Sequence, residues 1–216
     1  MFTLPNYNLL NVAVIGDVLL DVYYDCKIER ISPEAPVLIA KTNCNQKKMA
    51  LGGAANVANN CAGLKANVDL YGIVGYDKTA VEMKQLCDAK NIKAHFYASE
   101  NVSTIHKVRY KKDHNQVIRI DFEGDKRPYK VDARLYYKLQ DDFFDNVEKY
   151  HLVILSDYNK GTLKEYLCQN IINKCNAYNI PIFVDPKGVS WGKYDRATCL
   201  TPNLREFQQM VSEDIT

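Results

Sequence analysis

Two adjacent glycines followed by two alanines, Gly52-Gly53-Ala54-Ala55, constrain this chain more than any other stretch. They open a run from Leu51 to Asp77. Asn56, Val57, Ala58 and Asn59 follow, then a helix-like segment, then a strand-like Val68-Asp69-Leu70-Tyr71 closed by Gly72 and Gly75. Glycine permits backbone angles closed to other residues. A helix that starts beside such a turn presents the free N–H groups of its first turn, and a ligand can approach them closely. Small residues also let the helix pack tightly on a sheet. The stretch therefore has two readings: a tight turn before an ordinary α/β helix, or a ligand-binding turn.

The rest of the chain has a matching rhythm. Asn11–Gly16, His151–Leu155, Ile180–Val184 and the short Cys199-Leu200 are apolar, strand-like runs. Lys78–Ala89, Asp132–Val147 and Leu163–Tyr178 carry helix-like patterns. Strand and helix in alternation predict an α/β fold, a mostly parallel sheet with helices on both faces. At 216 residues the chain is expected to form one domain, with or without a small appendage. A net charge of +2 gives no case for a nucleic-acid surface. No apolar run approaches the roughly 20 residues that cross a bilayer. Met1–Asn11 lacks the basic start and apolar centre of a signal peptide. The seven cysteines are scattered, with no C-x-x-C pair, so reduced thiols in a cytoplasm are expected.

Charged residues cluster where strands end. Asp17 follows the first strand at once, Asp21 comes four residues later, Asp157 follows His151–Leu155, and Asp185 follows the strand at 180–184. Open α/β sheets bind ligands at that edge. Asp17 is either a ligand acceptor or a cap residue. Residues from about 21 to 48 read as a strand-rich excursion interrupted by Pro33 and Pro36, a small antiparallel flap with one apolar face. A second copy of the chain is the simplest cover for that face. A hairpin spans about 103–122, and its Lys107, Arg109 and Arg119 belong either to a solvated face or to an anion site. Lys187 is either an anion ligand, which the resemblance given below makes a nucleotide phosphate, or a surface cation. Gly124 and Pro128 punctuate the segment before the helix at 132–147. Thr201-Pro202 reads as a helix start with proline at its first position. Gly16-Asp17-Val18 lacks the G-x-G-x-x-G turn of dinucleotide-binding oxidoreductases.

The run from Leu51 to Gly75 resembles the first signature of the ribokinase-like (PfkB) carbohydrate kinases. Gly52, Gly53, Asn56, Ala58 and Gly75 sit at its positions, while Lys65 stands where a small residue is usual. Three features together resemble the heptose 7-phosphate kinase branch of that family. They are Gly16-Asp17-x-x-x-Asp21, the run Arg30-Ile31-Ser32-Pro33-Glu34-Ala35-Pro36-Val37, and the Gly-Gly-Ala-Ala-Asn-Val-Ala string. The resemblance implies a ribokinase-like fold in which the segment at 21–48 is a β-lid that clasps a second subunit. It implies that Asp17 and Asp21 accept hydrogen bonds from sugar hydroxyls, and that Gly52, Gly53 and Asn56 line the sugar site. Thr104-x-x-Lys107-x-Arg109 and Gln116-x-x-Arg119-x-Asp121 match the branch where basic residues face the substrate's 7-phosphate. Ser156-Asp157-Tyr158-Asn159-Lys160-Gly161 matches with Asn159 in place of a glycine, and adds Asp157 to the substrate set. Asn203-x-x-Glu206 corresponds to the magnesium and phosphate motif, with its two side chains expected on one helix face. The implied chemistry uses ATP as co-substrate with Mg²⁺, and transfers the γ-phosphate to the anomeric hydroxyl of a heptose 7-phosphate.

The resemblance covers essentially all 216 residues. Kinases of this family continue for about another hundred residues, in line with ordinary α/β domain length. That part carries a Gly-x-Gly-Asp turn that cradles the transferring phosphate and supplies the general base. No such turn occurs in this sequence, so the catalytic residues are expected beyond Thr216 and the chain alone is expected to be inactive. Two readings follow: an incomplete sugar-phosphate kinase, or a non-catalytic remnant that dimerises and at most binds sugar phosphate.

Overall fold

The computed structural model describes residues 7–123, 131–188 and 191–213. The first six residues and the punctuation at Gly124 and Pro128 lie outside the described residues. From β1 (Asn11–Gly16) the chain leaves for β2 (Val18–Ile31), β3 (Leu38–Thr42) and β4 (Lys48–Gly53). It returns through α1 (Ala54–Gly63), β5 (Asn67–Gly75), α2 (Lys78–Asp88) and β6 (Ile92–Ser99). A hairpin of β7 (His106–Lys112) and β8 (Asn115–Phe122) precedes α3 (Ala133–Asp145) and β9 (Leu152–Ser156). The last elements are α4 (Glu165–Ala177), β10 (Ile182–Asp185), β11 (Cys199–Leu200) and α5 (Leu204–Glu213).

Six strands form a parallel sheet in the order β11-β10-β9-β1-β5-β6. The chain fills the β5–β6 side first and the β9–β11 side afterwards, so its direction of growth reverses between β1 and β9. A reversal of this kind opens a crevice at the carboxyl ends of the strands. Alternation along β1 divides the core in two. Val12 and Val14 face α1 and α2, while Ala13 and Ile15 face α3 and α4. Burial of each Val, Leu or Ile here contributes about 1.5–3 kcal/mol. Ala54, Ala55 and Ala58 are fully buried, and their small side chains let α1 lie directly against the sheet.

The excursion is more extensive than its sequence suggests. β2 is one strand of 14 residues that starts in the core at Val18 and runs out to Ile31. It pairs antiparallel with β3 and β4 and parallel with β7, so the hairpin at 106–122 joins the excursion in one mixed sheet. Within 21–48 the strands pair antiparallel, and the parallel β2–β7 ladder adds the hairpin to them. Gly52 and Gly53 end a strand rather than form a free turn, and α1 begins directly at Ala54. Gly53 has φ +56° and ψ −137°, an almost glycine-only conformation, and a Cβ there would lie 2.3 Å from the Asp17 carbonyl oxygen. The Ala54 N–H donates to that same oxygen at 2.9 Å, which satisfies one donor of the first helical turn. At the other end, the helix start read at Thr201-Pro202 moves to Leu204. Both residues precede the helix, because Asn203 caps it.

The unusual Lys65 has a structural address. Its N–H donates to Ala62 O and the Ala66 N–H to Cys61 O, the paired bonds of a Schellman ending for α1. Lys65 itself has φ +73°, the left-handed position that glycine fills without strain. Lys65→Gly is expected to stabilise the fold by about 0.5–1 kcal/mol, the left-handed strain relieved less the extra chain entropy of glycine. Urea unfolding of the two proteins measures this, and a lower midpoint for the glycine variant would refute it.

Candidate functional site

The carboxyl ends of β1, β9 and β10 each deliver a carboxylate: Asp17, Asp157 and Asp185. The chain turns sharply after Gly16, and Asp17 is left 2% exposed. Its Oδ2 accepts the backbone N–H groups of Tyr158 and Lys160, and Oδ1 accepts that of Thr162, all at 2.9 Å. Asn159 at φ +56° and Gly161 at φ +102° are left-handed, and they bend the loop after β9 around the carboxylate. Burial pushes the Asp17 carboxyl above its ordinary range and nearby Asp157 adds to this, against the pull of the three N–H donors. In this structure its oxygens serve the loop.

Asp157 is equally engaged, at 3% exposure. Its Oδ2 accepts from Lys193 Nζ and Tyr194 OH, each at 2.5 Å, and Oδ1 accepts the Asn159 N–H at 2.6 Å. Burial and the adjacent Asp157 push the Tyr194 phenol far up, which keeps it a donor. Asp157 therefore fastens the loop at 157–162 to the turn at 192–194.

The open chemistry lies on the second sheet. Register sets Asp21 beside Lys107 and Lys107 beside Asp121. The next row on the same face is Tyr23, Arg109 and Arg119. Arg109 Nη1 donates to Asp21 Oδ1 at 2.5 Å, and its guanidinium lies over the Tyr23 ring. Gly52 makes room for that carboxylate, since a Cβ there would stand 2.8 Å from Asp21 Oδ2. Lys107 Nζ meets Asp121 at 3.0 Å and Glu123 at 2.6 Å. Arg119 pairs with Asp121 at 2.8 Å from a more exposed position. The three basic residues therefore differ: Arg109 belongs to Asp21, Lys107 to the acidic pair, and Arg119 to the rim. Asn56 is exposed on the first turn of α1.

A second cluster starts α5. Asn203 Oδ1 accepts the Glu206 N–H and Glu206 Oε2 accepts the Asn203 N–H, both at 3.0 Å. This is a reciprocal capping box. Asn203 stands outside the helix, so the expected pair on one helix face is corrected to cap and third residue. Glu206 Oε1 also takes Lys187 Nζ at 2.8 Å, and the Glu206 charge helps raise the Asp185 carboxyl, after burial. Among the described residues, no group of three or more His, Cys, Asp or Glu side chains is placed to hold a metal ion. Hard oxygens from Asp185, Asn203 and Glu206 fit an ion that keeps its waters and is carried by a polyphosphate.

Sequence reasoning passed over Tyr158 and Lys160. Tyr158 feels the charges of both clusters. Its phenol is raised by burial, and Asp185, Lys187, Asp21 and Glu206 all act on it electrostatically. Lys160 Nζ reaches across to Glu123 Oε2 at 2.5 Å. Both residues lie inside the Ser-Asp-Tyr-Asn-Lys-Gly string, which was the available signal. A cavity of about 20 Å³ beneath the loop, lined by Asp17 and Thr162, has room for about one water. A larger cleft of about 630 Å³ lies between α2 and the ends of β5 and β6, lined by Tyr76, Val81 and Phe96, away from these carboxylates.

The capping box gives a pH signature. Burial alone would raise the Glu206 carboxyl, but Lys187 and the Asn203 N–H outweigh it and hold it below its ordinary 4.5. A lowered folded-state pKa contributes stability above the unfolded value and loses it as pH falls through the folded one. Glu206→Gln keeps a cap acceptor at the third helical position but cannot titrate. The stability difference between wild type and Glu206→Gln is expected to be present above about pH 4.5 and to vanish in acid. Urea unfolding across that range measures it, and a difference independent of pH would refute the assignment.

Comparison with known proteins fits this arrangement. The family model for pfkB family carbohydrate kinases matches residues 9–216. The bifunctional protein HldE of Vibrio parahaemolyticus is 42% identical over 210 residues, which cover 97% of this chain and 42% of that protein. HldE of Haemophilus influenzae is 41% identical over 203 residues, 94% of this chain and 40% of its own. The chain thus spans about two fifths of the length of these curated relatives. Among solved structures, ribokinase from Giardia lamblia superposes with a TM-score of 0.66 at 15% identity, covering 94% of this chain and 61% of that one. The tetrameric inhibited form of phosphofructokinase-2 from Escherichia coli gives 0.65 at 15% identity, with 94% and 64% covered. These two likenesses concern the fold, which is ribokinase-like. The chain belongs to the pfkB family of carbohydrate kinases.

Proposed function

We propose that this chain carries the sugar-phosphate site, and part of the nucleotide-phosphate site, of an ATP-dependent heptose 7-phosphate kinase. In that reaction the anomeric hydroxyl oxygen attacks the γ-phosphorus of ATP. The bond to the β-phosphate oxygen breaks, ADP leaves, and the hydroxyl proton passes to a base. The observation that carries the reading is the Asp21 carboxylate over Gly52, oriented by Arg109 on an open polar face. Sugar hydroxyls donate and an ionised carboxylate only accepts, so the pairing is chemically matched. The 42% identity with a bifunctional HldE over 97% of this chain supports the heptose class. Asp17 and Asp157 act one step back, by shaping the loop at 157–162, and Gly53 shapes the start of α1. Asn56 lies at the α1 N-terminus, within reach of a ligand on that turn. Asp185, Lys187, Asn203 and Glu206 meet nucleotide phosphates and the waters of their Mg²⁺. That ion neutralises charge on the transferring phosphate when bound.

Asp21→Ala is expected to weaken heptose 7-phosphate binding roughly ten- to a hundred-fold, the loss of a charge-assisted hydrogen bond worth about 1.5–3 kcal/mol. Calorimetric titration measures it, and equal affinities would remove Asp21 from the site. A coupled assay is expected to show no ADP release dependent on heptose 7-phosphate from residues 1–216 alone, and sustained release would place the general base within them.

The second sheet is the proposed lid, and its other face is the proposed dimer surface. Ile118, Ile120 and Phe122 are 51%, 40% and 46% exposed, and in register they continue the apolar row of Tyr110, Val108 and His106. A second copy covers such a row by a self-complementary two-fold contact. Light scattering at high micromolar concentration is expected to give a dimer, and Ile118→Asp with Ile120→Asp a monomer. A wild-type monomer, or a dimer indifferent to both changes, would overturn this. No helix among the described residues is long and apolar enough to cross a membrane.

A further inference from the structure

Helix α2 reaches the second sheet at two points, one on each side of Asp21. Within that sheet Asp21 lies between Ala50 of β4 and Lys107 of β7. Shortly before β7, the buried Thr104 is held by the start of α2. Its N–H donates to Asp77 Oδ2 at 2.7 Å, and its hydroxyl oxygen accepts the Gly75 N–H at 2.9 Å. Gly75 has no room for a side chain, since a Cβ there would stand 2.7 Å from the Thr104 nitrogen. The next carbonyl, that of Ile105, accepts the Leu20 N–H at 3.0 Å, and the β2–β7 ladder begins. On the other side Lys47, the residue before β4, gives its Nζ to both oxygens of Glu82, at 2.8 and 2.9 Å. Their side chains are 27% and 18% exposed, so this pair is screened less than one on the open surface. Asp77 also caps α2, its Oδ1 accepting the Ala80 N–H at 2.9 Å. Burial would raise its carboxyl, yet the Thr104 and Ala80 N–H groups outweigh this and hold it below its ordinary range. The helix itself is fixed to the central sheet by Met83 and Cys87, both fully buried.

We propose that α2 is the strut of the lid, and that Asp77 and Glu82 are positioning residues which, through Thr104 and Lys47, set Asp21 and Arg109 over Gly52. The proposal deepens the sugar-site reading above and rests on it. β2 leaves the central sheet as a single strand, so β4 and β7 decide where its carboxylate stands. A slip of β7 by one residue would turn Arg109 to the opposite face and take it from Asp21. The two Thr104 bonds at the root of β7 oppose such a slip, and the Lys47–Glu82 pair holds the root of β4 in the same way. Aspartate suits position 77 because its two oxygens serve N–H donors from two different elements. Asparagine is as good a helix cap but brings one oxygen, so Asp77→Asn spares the helix and cuts its link to the lid.

Two readouts on the whole chain test this: amide hydrogen exchange resolved by strand, and calorimetric titration of D-glycero-β-D-manno-heptose 7-phosphate. Asp77→Asn is expected to speed exchange in β7, and Lys47→Met in β4, about ten-fold or more, the loss of a hydrogen bond to a charged group. Amides of β1, β9 and α2 keep their wild-type rates in both variants. Affinity for heptose 7-phosphate is expected to fall roughly two- to thirty-fold in each, the range for coupling through residues that do not touch the ligand. Lys47→Arg keeps both Glu82 oxygens paired and restores both readouts. Exchange that rises equally in every strand would reveal a general loss of stability and overturn the strut. Unchanged exchange in β4 and β7, no rescue by arginine, or loosened strands with unchanged affinity would overturn it as well. If the wild-type chain does not bind heptose 7-phosphate, the sugar reading falls and exchange alone decides. Selective loosening of β4 and β7 then keeps the strut, and its absence removes it.

Discussion

The carboxylate of Asp17 is the point on which the loop at 157–162 depends. Three backbone N–H groups from one loop end on its two oxygens. An ionised acceptor in a buried place forms strong bonds to such donors, and leaving them unmade would cost about 1–3 kcal/mol each. The shape of the loop follows from this anchor. Asn159 and Gly161 turn left-handed, and Lys160 reaches toward Glu123. Asp157, held by Lys193 and Tyr194, ties the far side of the loop to the segment after β10. In this structure the oxygens of both strand-end carboxylates are taken up by the loop at 157–162 and the turn at 192–194.

The second sheet works by a different principle. Its two faces are sorted by strand period: Leu20, Val22 and Val108 point to the core beside α1, while Asp21, Lys107 and Arg109 point away. Because β2 and β7 run parallel in fixed register, the charges form rows rather than scattered pairs. Half-buried pairs in such rows are pre-oriented, which reduces the ordering that a ligand must impose. The core carries the cost of holding them, through the buried ladder of β2 with β4 and β7.

The α/β rhythm was legible in the sequence because each central strand is a short apolar run ending in a small or acidic residue, as at Gly16-Asp17 and Ser156-Asp157. β4 was not legible. Lys48-Met49-Ala50-Leu51-Gly52-Gly53 has weak strand propensity and takes its conformation from pairing with β2. The β2–β7 ladder was equally hidden, since parallel pairing of distant segments leaves no local pattern. The hold of Asp17 on the loop could not be read because its partners are backbone N–H groups, which every residue but proline possesses. Asn203 was assigned to a helix it caps, because a capping box and an i,i+3 pair share the same spacing. Lys160 sat inside a string already singled out, but only the fold shows that it meets Glu123.

The span of the Asp17 contacts has a consequence for assembly. Its donors lie 141, 143 and 145 residues further along the chain. During synthesis β1 and its carboxylate therefore wait, solvated, until β9 and the loop after it have emerged and docked. Contacts closed over such distances are slow to form and depend on prior ordering of what lies between. The polar face around Tyr158 and Lys160 is accordingly among the last features to settle. Order in that loop reports that both sides of the central sheet have joined, and a half-assembled chain would lack it however well ordered its first strands.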